Sequence, residues 1–237
     1  MTQEINLEEI KNKLYKKLQP SGWADVLKTF LLSSDFDNIL MTLYKESQEN
    51  KKFTPKLNQV LRAFELCPYN KLKVIMIGQD PYPYESVCDG LAFSCGNTGK
   101  PEASLRYIFK EIQESVYKET PYTRDPDLKR WAEQGVLLIN TALTTTIGKV
   151  GTHYKLWQPF LAFLFDTLAF QNSGLVYVFL GKKAQEWAES VPDNNWKIFT
   201  THPAYAAHTN SESWNSENMF LKVNELLKKN YNESITW

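Results

Sequence analysis

The sequence predicts an α/β fold: a single domain on a central four-stranded, mainly parallel sheet flanked by helices on both sides. Three observations lead there. Four short apolar runs, VIMI at 74–77, VLLI at 136–139, LVYVFL at 175–180 and WKIFT at 196–200, lack polar alternation and are bounded by turn formers, as strands buried on both faces are. Stretches of helical period separate them. No internal repeat, low-complexity tract or linker rich in Gly, Ser or Pro divides the chain, so residues 1–237 are expected to form one domain, with 1–20 as an N-terminal helical extension.

In chain order, the opening MTQEINLEEIKNKLYKKL reads as an amphipathic helix of mixed charge. It lacks the apolar stretch of a secretory signal, and no later run approaches membrane-spanning length, so the expectation is a soluble protein. SLRYIFKEIQESVYK places Leu105, Ile108, Phe109, Ile112 and Val116 on one stripe, with Ser104 as N-cap. DPDLKRWAEQG opens on Asp125 before Pro126 and stops at Gly135, the start and stop signals of a short helix. KLWQPFLAFLFDTLAF is apolar on most faces and is expected to pack deep. The last helix carries Phe220, Val223 and Leu227 at helical spacing.

The 27 basic and 27 acidic side chains cancel. Any grip on nucleic acid must therefore come from a local patch rather than from the field of the whole chain. Cys67, Cys88 and Cys95 are odd in number and irregular in spacing. They suit reduced thiols acting as small hydrophobes in a cytoplasmic setting, with a nuclear or viral compartment left open. No CxxC pair offers zinc or cluster ligands, so neither a metal nor a cofactor is expected.

Function is legible at the strand ends. The runs are followed by GQDPYP, NTALT, GKKAQEW and THPAYAAH. In open α/β sheets ligands bind outside the carboxyl ends of the strands, so Asp80, Asn140 and His202 are expected to meet despite their separation in sequence. Singly, each has an ordinary structural use: Asp80 in an Asx turn, Asn140 satisfying loop backbone, His202, His153 or His208 bonded in the core, Phe93 and Tyr82 as packing. A carboxylate, an amide and an imidazole converging at three strand ends point instead to a site.

The motifs GQDPYP, GLAFS, SLRYIFKEI, WAEQGVLLINTALT, THYKLW, VYVFLGKKAQ and HPA, closing with ITW, run in order over nearly the whole chain. They resemble the family-1 uracil-DNA glycosylases. The resemblance implies that Asp80 orients the attacking water and stabilises positive charge on deoxyribose as the N-glycosidic bond breaks. It makes His202 a neutral imidazole donor to uracil O2, assisted by Gln79. Asn140 would read uracil N3–H and O4, Tyr82 would exclude a C5 methyl, and Phe93 would stack on the base. The implied partner is uracil-containing DNA, single- or double-stranded, met by a monomer, with a DNA-mimicking protein inhibitor as a further partner and no membrane.

The departures lie on the DNA side. Pro83 stands where the family commonly has histidine. In HPAYAAH, Ala204 and Ala207 replace serines that grip the backbone, and Ala206 replaces a stack-filling leucine. The family's proline-rich loops become FTPKLN and KPEAS, and its glycine–serine loop becomes Gly181–Lys182. Ser104 is retained as a phosphate contact. Lys182, Lys183, Tyr205 and His208 are the candidates to rebuild the grip, with Tyr205 as intercalator. Two alternatives stay open: a glycosylase preferring another modified uracil, and a non-catalytic DNA-binding or replication-complex subunit of the same fold.

Overall fold

The computed structural model describes residues 5–49, 51–209 and 211–237. The expected N-terminal extension falls partly outside this range, at residues 1–4. Its described part is helical: α1 (Leu7–Leu18) is capped by Asn6, whose side chain accepts from Glu9 N–H at 3.0 Å. Next come α2 (Trp23–Leu31) and α3 (Ser34–Gln48), then the short strand β1 (Phe53–Thr54) and α4 (Arg62–Leu66).

The alternating part of the chain runs β2 (Val74–Gly78), α5 (Ala103–Ile112), α6 (Lys129–Ala132), β3 (Val136–Asn140), β4 (Thr145–Thr146), α7 (Tyr154–Gln171), β5 (Val176–Leu180), α8 (Lys182–Gln185), β6 (Trp196–Thr200), α9 (Pro203–His208) and α10 (Met219–Tyr231). β3, β2, β5 and β6 form a four-stranded sheet in that order, and every pairing is parallel. Parallel neighbours need crossovers, and the helices between the strands supply them. β1 and β4 pair separately as a small antiparallel ribbon. Each of the four apolar runs is thus a strand of one sheet.

Every residue of β2, β3 and β5 is buried, so both faces of the central sheet are covered. β6 departs from the expected pattern. It pairs only with β5, and Trp196 and Phe199 stay 39% and 45% exposed. It is one of the sheet's two edge strands, and unlike β3 at the other edge it leaves apolar side chains uncovered; Lys229 lies over the Trp196 ring at 5.7 Å. The buried apolar side chains form one cluster. α2 joins α7 where Phe30 meets Phe160 edge-on at 5.2 Å, and Trp237 packs between Trp131 and Phe220 at 5.4 and 4.9 Å. The three cysteines are free and buried. No helix among the described residues is long and apolar enough to cross a membrane.

Two expected helix starts shift. Ser104 is not the N-cap of α5: Glu102 holds that position, and Ser104 sits buried in the first turn. Asp125 does not open α6. Its carboxylate accepts from Asp127 N–H at 3.0 Å as an Asx turn, Asp127 in turn accepts from Lys129 N–H, and the helix begins only at Lys129.

Candidate active site

Parallel register places the carboxyl ends of the strands side by side. Gly78 closes β2 opposite Asn140, which closes β3, while β6 ends at Thr200 just before His202. Gln79, Asp80, Tyr82, Phe93, Asn140 and His202 line one cavity of about 290 Å³ above these ends. The six residues expected to hold the reacting base and sugar therefore share one pocket. Glycine is required beneath it, since a Cβ at Gly78 would lie 2.3 Å from Asn140 Oδ1 and 3.0 Å from a Phe93 ring carbon. Gly181, at φ +90°, permits a similar approach: a Cβ there would meet Gln79 Nε2 and His202 Cβ at 2.8 Å.

Asp80 is partly enclosed, and burial pushes its carboxyl up from the ordinary aspartate value. Two donors oppose that rise. Gly151 N–H donates to Oδ2 at 2.5 Å, and the Tyr154 hydroxyl is a hydrogen-bonding neighbour of the same carboxylate. The first of these fixes one oxygen of a carboxylate that lines the cavity. Neither Gly151 nor Tyr154 is singled out in the sequence, although Tyr154 falls within THYKLW, because their tie to Asp80 exists only once the loop after β4 folds back over β2. That loop is itself anchored from beneath. His153 is buried, with Nδ1 2.8 Å from the Thr144 hydroxyl and Nε2 3.1 Å from Glu46, while Trp157 Nε1–H donates to Thr144 at 2.7 Å. His153 is thus the core-bonded histidine that its ordinary structural reading describes.

His202 caps α9. Its Nδ1 accepts from Ala204 N–H at 3.1 Å, so the ring proton of the neutral imidazole sits on Nε2. Burial, reinforced by His208, lowers its pKa from 6.5 to about 4. The imidazole is therefore neutral at physiological pH and still carries one N–H donor. Stability follows from the same shift. Between 6.5 and about 4 the unfolded chain binds a proton that folded His202 does not, so stability falls as pH falls through that window and levels below it. Urea unfolding near pH 7 and about pH 5 checks this: His202→Gln is expected to lose less stability than wild type between the two conditions, and equal losses would refute the assignment.

Asn140 is 8% exposed, and among the described residues its amide has no hydrogen-bond partner. A buried amide left unpaired costs free energy unless something in the cavity takes both its donor and its acceptor. Phe93 closes the other side, its ring 5.5 Å from that of His202. It holds φ at +66°, a left-handed conformation uncommon outside glycine. The loop around it is over-determined, as such a conformation requires. Tyr82 Oη–H donates to Phe93 O at 3.3 Å, and Ala92 N–H donates to Leu138 O of β3 at 3.1 Å. Asp89, 1% exposed, accepts from Leu91 N–H, Gly96 N–H and the Ser94 hydroxyl and pairs with Arg62 at 2.7 Å. Sequence reading missed this Asp89–Arg62 pair. An aspartate before a glycine reads as a turn, and the arginine comes from a distant helix.

The candidates for the DNA side divide. Ser104, Ala204, Ala207 and His208 line the cavity, although Ser104 is 4% exposed. Tyr205 is 65% exposed on α9. Ala206 departs from expectation as a DNA contact: it is 4% exposed, buried like Pro203 one helical turn earlier, while its neighbour Tyr205 faces outward. Lys182 is exposed at the start of α8. Lys183 is turned back, paired with Glu186 at 2.9 Å and lying over the Tyr154 ring at 5.3 Å.

Residues 64–228 match the family described as the Uracil DNA glycosylase superfamily. A uracil-DNA glycosylase of Acinetobacter baumannii (strain SDF) is 32% identical over 232 residues, covering 97% of this chain and 97% of that protein. One from Aliivibrio salmonicida (strain LFI1238) is 31% identical over 219 residues, covering 92% and 96%. Among solved structures, mimivirus uracil-DNA glycosylase shares the fold with a TM-score of 0.84 at 24% identity, over 98% of this chain and 89% of that one. A mimivirus UNG variant crystallised in complex with UGI gives 0.81 at 25% identity, over 91% and 87%. A match that spans the whole four-stranded sheet, with relatives aligned across nearly the full length, places this chain in the uracil DNA glycosylase superfamily.

Proposed function

We propose that this chain hydrolyses the N-glycosidic bond of deoxyuridine in DNA, releasing uracil and leaving an abasic site for base-excision repair. The observation that carries the reading is the single cavity shared by Asp80, Asn140, His202 and Phe93. A base inside a duplex cannot reach such a pocket, so the nucleotide must leave the stack first. Phe93 then offers a ring to one face of the base, and the unpartnered Asn140 amide meets the N3–H and O4 of uracil. Cytosine would present the reverse pattern and leave buried groups unpaired, at about 1–3 kcal/mol for each. Tyr82 lines the same cavity and is the residue assigned to exclude a C5 methyl.

The C1′–N1 bond breaks with its electron pair passing to the base, and the His202 Nε2–H donates to the oxygen where that charge gathers. Asp80 faces the cationic sugar and holds the water whose oxygen forms the new bond to C1′. The proton that the water loses goes to the Asp80 carboxylate. Uracil leaves as an anion and takes its proton from solvent. Because the His202 ring is neutral, its contribution is a hydrogen bond rather than a full proton transfer.

On the DNA side, Tyr205 is the exposed aromatic placed to enter the gap left by the extruded base. Tyr205→Ala is expected to slow uracil release from paired DNA more than from single strands; equal rates to wild type on both would refute that role. The buried free thiols support a reducing, cytoplasmic-type compartment. A protein shaped like DNA would compete at the same mouth, and the UGI complex of the mimivirus relative supports that second partner.

The test is release of free base from matched oligonucleotides bearing one uracil, thymine or cytosine. Uracil alone should be released. Binding without release from any of them would favour the non-catalytic DNA-binding alternative.

A further inference from the structure

The hydrogen bond that fixes Asp80 comes from a short stretch with no part in the chemical step. Gly151 supplies a backbone N–H at 2.5 Å, and Tyr154, at the start of α7, lines the same cavity. The two are packed together: a Cβ at Gly151 would lie 2.8 Å from a Tyr154 ring carbon. Over the ring lies Lys183, 5.3 Å from its centroid, and Lys183 is tied to Glu186 at 2.9 Å. The phenol is thus held between α8 and the carboxylate. We propose that Tyr154 is a positioning residue for Asp80, its hydroxyl donating to the carboxylate while Lys183 fixes its ring.

The inference rests on the glycosylase reading and deepens it. A carboxylate that must remain charged while partly buried needs donors, and the backbone N–H alone serves only one oxygen. The titratable and charged groups around the pair are His202, His208, Glu102 and Tyr82 in the cavity lining, Lys183 over the ring and Glu186 beside Lys183. His202 is neutral above about 4, so it does not compete as a cation. Burial and the Asp80 and Glu186 charges push the Tyr154 phenol well above its ordinary value, so it keeps the proton that it donates.

Removing the hydroxyl leaves desolvation of Asp80 opposed only by Gly151, so the carboxyl should titrate at higher pH. Tyr154→Phe is expected to slow single-turnover uracil release roughly 10- to 100-fold, the range for one hydrogen bond to a charged group. Affinity for uracil DNA should stay unchanged, and the acid limb of the pH–rate profile should move upward. In the Asp80→Asn background the same substitution should have no further effect. An acid limb that stays in place, or an equal slowing in the Asp80→Asn background, would show that Tyr154 merely packs. Carboxyl 13C NMR reads the Asp80 titration without turnover, and a midpoint identical in wild type and Tyr154→Phe would overturn the inference. Wild type that releases no uracil would instead overturn the glycosylase reading beneath it, a separate result.

Discussion

Asp80→Asn is expected to reduce uracil release about 10²- to 10³-fold or more, the scale of losing one preorganised electrostatic group. Binding of uracil DNA should stay within a few-fold, and the protein should become more stable at neutral pH. The gain in stability follows from one shift. Burial raises the Asp80 carboxyl, so the folded state pays for its charge wherever pH lies above the folded pKa. Asparagine removes that cost, and its amide oxygen can still accept from Gly151 N–H. As pH falls through the folded pKa, wild-type Asp80 takes up a proton and the advantage of the variant closes. Thermal unfolding at neutral and acidic pH, beside single-turnover release and a binding titration, checks each part. Loss of binding together with stability would mean that Asp80 is a structural turn residue after all.

Asn140→Asp is expected to exchange one base for another. The amide is 8% exposed and unpartnered among the described residues, so the base dictates what it must donate and accept. An aspartic acid there sits in the same buried position, which favours its protonated form. In that form it can donate to cytosine N3 and accept from the exocyclic amine, the reverse of what uracil requires. Release of cytosine should therefore appear and should increase as pH falls. Uracil release should decline roughly 10- to 100-fold for the mismatched group. A folded variant with no cytosine release at any pH would remove the base-reading role from Asn140.

The two sides of the pocket differ in how far they could be read in advance. VIMI, VLLI and LVYVFL announce their strands because a centre covered on both faces must be apolar throughout, and their ends carry Asp80 and Asn140 directly. WKIFT has the same look for a different reason. It lies at the edge left uncovered, whereas VLLI at the other edge is buried throughout, and its exposed Trp196 and Phe199 are apolar without being buried. His202 was legible as a site residue, but its tautomer was not, since that depends on Ala204 N–H at the start of α9. Tyr205 faces outward, as an intercalator must, while Ala206 turns inward once the helix sets its faces. Gly151, Tyr154 and the Asp89–Arg62 pair act through contacts between distant segments, and nothing in their local spacing announces them.

The strand order β3-β2-β5-β6 also governs when this protein can first act. Asp80 leaves the ribosome early with β2, but its neighbour on one side is β5, and the imidazole arrives only after β6 has docked on that strand. Pairings between segments so far apart in sequence form slowly and late. A nascent or half-folded chain thus holds the carboxylate without the histidine that would share its cavity. Competence to release a base is withheld until the sheet is complete, so immature molecules are silent rather than indiscriminate.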